Sequence, residues 1–104
     1  MEQVSLDAFV LDALMPDLIG HDRRPASLVV YLHLYRRGAK SGWAVRASHQ
    51  AIADATGLSR SAVQSALAHL HRRQLVTTTR ANPTAVPNHR VLRPWQRLSR
   101  SHGG

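Results

Sequence analysis

The sequence predicts a mainly helical domain with a small β component: a core of three helices followed by a β-hairpin, with one further helix ahead of them. Three observations predict it. Between Pro25 and Val76 the apolar residues recur at helical spacing in three separate runs. Within that span, Ser48 to Val76 reads as two short helices joined by a tight turn at Thr56-Gly57. Beyond it, the β-branched run Leu75–Thr79 and the pair Val91-Leu92 flank a loop with two prolines, which is the pattern of two strands and their connection.

Taken in order, Ser5 is expected to cap a helix over about Leu6–Met15, with Asp7 in its first turn where the dipole favours a carboxylate. Leu6, Phe9, Val10, Ala13 and Leu14 share one face, Pro16 and Gly20 are expected to end the helix, and residues 19–22 connect onward. That face either packs on the core or pairs with a second copy, and a third use is an acidic arm lying on the chain's own basic surface. Asp7, Asp12, Asp17 and Asp22 recur every five positions, which on an α-helix spirals them around the axis. Pro25 suits a first helical position, and Leu28, Val29, Val30, Tyr31, Leu32, Leu34 and Tyr35 make the next helix apolar nearly all round, hence central. Arg36-Arg37-Gly38 ends it, and His33 reads as an ordinary half-buried or surface histidine. Lys40-Ser41-Gly42 turns the chain into a short strand over Trp43–Arg46, which puts Trp43 in the core or at a sheet edge.

Ser48 is the N-cap of the next helix, Ile52, Ala53 and Ala55 give it small apolar contacts, and Gly57 supplies the positive φ of its end. Leu58 returns to the core and Ser59 caps again. Val63, Ala66, Leu67 and Leu70 then form one helical face, opposite Ser61, Gln64, Ser65, Ala68, His69 and Arg72. This outer face has no acid and several short hydrogen-bonding side chains, the chemistry suited to a groove of base edges. The loop from Arg80 to Asn88 is long for a hairpin and stiffened by Pro83 and Pro87, and Arg90 lies in the returning strand. Residues 94–98 suggest a short turn or helix with Trp95 over the sheet. The organisation is therefore 1–22, an acidic helix; 23–98, the main domain; and 99–104, a basic disordered tail.

Charge sharpens the picture. The formal net charge is +8, and it divides as −5 over residues 1–22, +5 over 23–54 and +8 over 55–104, where eight Arg stand without one carboxylate. Thirteen of the fourteen cations are Arg, as a GC-rich genome would give, but codon bias does not explain fifty residues without an acid. The basic half is the half with the paired short helices, the footprint of a polyanion binder. Other classes drop out. With no cysteine, disulfides, thiolate zinc sites and thiol nucleophiles are excluded, and a reducing cytoplasm, close to the nucleoid, is the expected setting. No apolar run approaches the ~18 residues of a membrane span, and the N-terminus lacks a basic segment followed by an apolar core. Seven histidines form no ligand spacing: His69 and His71, two apart on a helix, face different ways, and His49 and His89 lack a helical partner. No phosphate loop, nucleophile elbow or paired catalytic carboxylate is present, so no enzyme, cofactor or metal is expected.

The run Ile52-Ala53, Thr56-Gly57-Leu58-Ser59-Arg60, Val63, Ala66-Leu67, Leu70 and Gln74-Leu75-Val76 resembles the winged helix-turn-helix of bacterial and phage regulators. It is similar to that of GntR-like and MarR-like proteins and of plasmid and phage replication initiators. The resemblance implies a recognition helix over about 60–73 in the DNA major groove and a wing over about 76–93 on the backbone or minor groove. It also implies a strand at 43–46 that pairs with the wing, and dimerisation through an added helix, as is common in that family. The expected contacts to double-stranded DNA follow from position. Ser59 and Arg60 head the recognition helix, where free amides attract phosphate. Ser61, Gln64 and Ser65 reach base edges, and Gln64 can bind adenine in two places. His69, Arg72 and Arg73 meet the backbone further along, Arg46, Ser48 and Gln50 position the preceding helix, and Arg80 and Arg90 serve the wing. The expected function is a sequence-specific, homodimeric transcriptional regulator. The alternatives are a plasmid or phage replication or maintenance factor, or a winged helix that binds a protein partner through its basic face.

Overall fold

Helix α1 (Pro25–Gly38) runs through the centre of the molecule, as its apolar circumference requires, with Leu28, Val30, Tyr31, Leu34 and Tyr35 buried. In the computed structural model, which describes residues 1–96, the expected tail and the domain's last residues lie outside the described residues. The Tyr31 hydroxyl donates to the Leu92 carbonyl at 2.7 Å, so burying the phenol strands no polar atom, and burial pushes its pKa up. Gly38 ends α1 where a Cβ would meet the Trp43 backbone at 3.2 Å and Val91 at 3.3 Å. That close approach lets Trp43, at φ 67°, set its ring edge-on to Tyr35 at 4.9 Å, with the Arg93 guanidinium 3.6 Å from the ring centre.

Helices α2 (His49–Thr56) and α3 (Arg60–Arg72) follow, each started by the expected serine. The Ser48 hydroxyl accepts from the Ala51 amide at 3.0 Å and Ser59 from Ala62 at 3.1 Å, caps worth ~1 kcal/mol each. Gly57 takes φ 82° between them, a conformation that costs glycine nothing. Val63, Ala66, Leu67 and Leu70 are all buried, so the helical stripe is the core stripe.

Strands β1 (Ala44–Arg46), β2 (Val76–Thr79) and β3 (Asn88–Val91) form an antiparallel sheet in the order β1-β3-β2. Register pairs Val45 with His89, Thr78 with His89 and Val76 with Val91, and this face packs inward. The hairpin β2–β3 is the wing, and the fold is a winged helix-turn-helix. The third strand, expected around Val91-Leu92 with His89, Arg90 and Arg93 flanking, begins at Asn88 and ends at Val91, with one further bond in register from the Leu92 amide to the Leu75 carbonyl.

The N-terminal segment corrects the expectation most. Its helix continues through Pro16 to His21, and it is wide: Val10–Leu14 and Pro16–His21 are π-helical. Asp22 N–H bonds the Asp17 carbonyl at 2.9 Å, and the chain turns only at Arg23, φ 56°. Val10, Leu14 and Leu18, four residues apart along the helix, are all buried in the common core. The widening brings aspartates five residues apart close to a single side. Trp95, expected over the sheet, instead stacks on Phe9 at 4.8 Å and donates from Nε1 to Asp7 at 2.9 Å, clipping the arm to the far end of the domain. No helix among the described residues is long and apolar enough to cross a membrane.

Candidate nucleic-acid interface

Capping and the buried stripe together fix which residues α3 turns outward. Arg60, Ser61, Gln64, Ser65, Ala68, His71 and Arg72 are exposed, and none is acidic. Ser59 and Ser48 spend their hydroxyls on their caps, so what each helix start presents is its remaining free amides. Gln50, exposed on α2, donates from its amide to Asp54 at 2.9 Å.

Two expected contacts are placed elsewhere. His69 is buried, 7 % exposed, where the helical wheel alone put it outside. Its Nε2 lies 2.8 Å from the Asp22 carboxylate and its Nδ1 2.7 Å from the Ser27 hydroxyl, so the arm, packing on this flank, turns an outer position into an inner one. Arg73 also faces the arm and pairs with Asp17 and, at 3.2 Å, with Asp22. Asp22 is held below the usual carboxylate range first by its hydrogen bond from His21 and then by His69. Ser27, His69 and Asp22 in line have the order of a hydrolytic triad, but Ser27 is 1 % exposed and no substrate can reach its hydroxyl. Asp17, His21 and Asp22 also bring one ligand atom each within 4.8 Å of one another, while Arg73 already answers both carboxylates.

On the wing, Arg80 is exposed beyond β2. Arg46 and Arg90 alternate with Val45, His89 and Val91, so they stand on the sheet face turned away from the helices. Arg46 also closes a groove of about 610 Å³ with Arg36, Arg37 and Lys40. The Glu2 carboxylate bridges Arg36 and Lys40 and is held below its usual range, chiefly by Lys40.

Between α3 and the wing lies a notch that sequence reasoning missed. Gln64, Ala68 and His71 of α3 line it with His49, Thr78, Arg80 and His89. His71 Nε2 is 2.7 Å from the Thr78 hydroxyl, which is 2.8 Å from His89 Nδ1, and His89 Nε2 is 3.0 Å from the Ala47 carbonyl. Burial lowers the His89 pKa, and burial followed by the Arg80, Arg60 and His71 charges lowers that of His49. The only sequence signal was alternation: His89 occupies an inward strand position, and Thr78 faces it across the ladder.

The model of the Crp-like helix-turn-helix domain family matches residues 24–95. Comparison with curated proteins and with solved structures gives no match. The chain belongs to the Crp-like helix-turn-helix family, and the domain is a DNA-binding one. The expected likeness to bacterial winged helix-turn-helix regulators holds at the level of the helix-turn-helix.

Proposed function

We propose that this member of the Crp-like helix-turn-helix family is a sequence-specific regulator of transcription, bacterial or phage, that reads double-stranded DNA as a homodimer. The observation that carries it is the acid-free outer face of a firmly capped α3, where Arg60, Ser61, Gln64, Ser65 and Arg72 stand free of the core. In this reading α3 enters the major groove, Gln64 pairs with an adenine edge, and Arg60 and Arg72 hold phosphates. The Arg80 end of the wing meets the backbone or minor groove, and Arg46 and Arg90 give the wing its cationic outer face. Ser48, Gln50 and Ser59 fix the helix starts. His69 and Arg73 leave the set of contacts because the arm occupies them. Residues 1–22 supply the pairing element. Leu11, Met15 and Ile19 form a second four-residue stripe on the arm's outer side, each between 38 % and 46 % exposed, which supports that role.

Selection of bound duplexes from a random pool tests the reading. A palindromic or repeated motif is expected, with half-sites about one helical turn, ~34–36 Å, apart. Gln64→Ala should relax one base position by ~1–3 kcal/mol, while Arg60→Ala weakens every sequence alike and flattens the salt slope by about one unit. Binding without any enriched motif would overturn it.

A further inference from the structure

The notch between α3 and the wing has a volume of about 290 Å³, and its hydrogen bonds run one way. The Ala47 carbonyl can only accept, so His89 carries its proton on Nε2. His89 is fully buried and neutral, which makes its Nδ1 an acceptor, so the Thr78 hydroxyl must donate to it. Thr78 then accepts from His71 Nε2–H. One backbone carbonyl therefore sets the tautomer of a histidine on the recognition helix, across two strands. With Nε2 committed, any proton that His71 gains goes to Nδ1.

The charged and titratable groups facing this notch are all of one kind. His49 comes from α2, His71 from α3, His89 from β3 and Arg80 from beyond β2, with the Arg60 charge acting on His49 from the head of α3. No carboxylate lines it among the described residues. It is thus the reverse of the arm side, where His69 and Arg73 meet aspartates. An anion is the partner whose charge the notch lacks. We propose that the notch seats one backbone phosphate of bound DNA, and that the phosphate draws a proton onto the rim histidines, His71 and His49, so that DNA binding takes up protons. This rests on the reading of α3 as the DNA-facing helix. In the free protein burial and cationic neighbours lower the His49 pKa, and an incoming phosphate opposes the field of those cations.

The test uses the full chain and a duplex carrying the selected sequence, with affinity measured at fixed ionic strength from about pH 5.5 to 8, the range in which histidine titrates. Affinity should rise toward acid by up to about tenfold per pH unit for each coupled proton. Calorimetry in two buffers of different ionisation enthalpy should show net proton uptake near pH 6.5. His71→Gln keeps an N–H for Thr78 but cannot charge, and with His49→Gln it should flatten the pH profile. Nitrogen-detected spectra of the free protein should find neutral His71 protonated on Nε2. A flat profile in the native protein, an unchanged slope in both variants, or His71 protonated on Nδ1 would overturn the proposal. Failure to bind any duplex at any pH would remove the DNA reading itself, and the proposal with it.

Discussion

His69 and His71 stand two residues apart on α3 and meet opposite chemistry. His69 turns toward the arm, where an ionised Asp22 and the Ser27 hydroxyl take both ring nitrogens and the ring is buried. His71 turns toward the wing, where Thr78 takes one nitrogen, and the charged and titratable groups around it are histidines and arginines. The same contrast holds for neighbouring arginines, since Arg73 is paired with two aspartates and Arg72 is exposed. One side of α3 is spent on holding the molecule together, and the other is left available. The partner chemistry decides which, not the residue type.

Stability should separate the two histidines most. His69→Ala leaves the buried Ser27 hydroxyl without its partner and should cost about 2 kcal/mol in urea unfolding, whereas His71→Ala, losing one exposed bond, should cost about 1 kcal/mol or less. Equal losses would erase the distinction. Acid should next weaken the two sides in sequence. His89 is depressed by burial, so from about pH 6.5 downward the unfolded chain binds a proton that the folded one refuses, and stability falls until the depressed value is passed. His49 and His33, also lowered first by burial, act in the same window and direction. Asp7, lowered chiefly by its bond from Trp95, and Asp22 contribute stability that is complete above their ordinary value near 3.8 and disappears as pH falls through their depressed values. Thermal midpoints followed from pH 7.5 to 2.5 should therefore fall in two steps, and a single step near pH 4 would contradict the burial of His89. The smallest effect is the most pointed: Arg72→Ala should lower the salt slope of DNA binding by about one unit, while Arg73→Ala leaves that slope unchanged and costs under about 1 kcal/mol of stability, its pair being partly solvated.

The three core helices and the wing were legible because their signals are local. Serine caps, Gly57, the stripe from Val63 to Leu70 and the β-branched run each act within a few residues, and each element formed where those signals stood. The arm was misread because its pattern was fitted to the wrong period. Aspartates every five residues scatter on a helix of 3.6 residues per turn and draw together on a wider one. Pro16 reads as a terminator, yet it opens the second wide stretch of a helix that runs on through it. The outer face of α3 was legible except at His69, whose burial depends on a segment 47 residues away, and the histidine notch was invisible because its members come from four elements.

The strand order has a consequence in time. β3 is the last strand among the described residues and central in the sheet, so β1 has no partner until residues 88–91 arrive. Caps and short-range apolar contacts let the helices form early, whereas the pairing of β1 with β3 waits for closure of a loop of about forty residues, a slower event than closing the short β2–β3 hairpin. During synthesis the helical core can therefore gather first. The wing sets last, and with it the hydrogen bonds that join His71 to the backbone of Ala47.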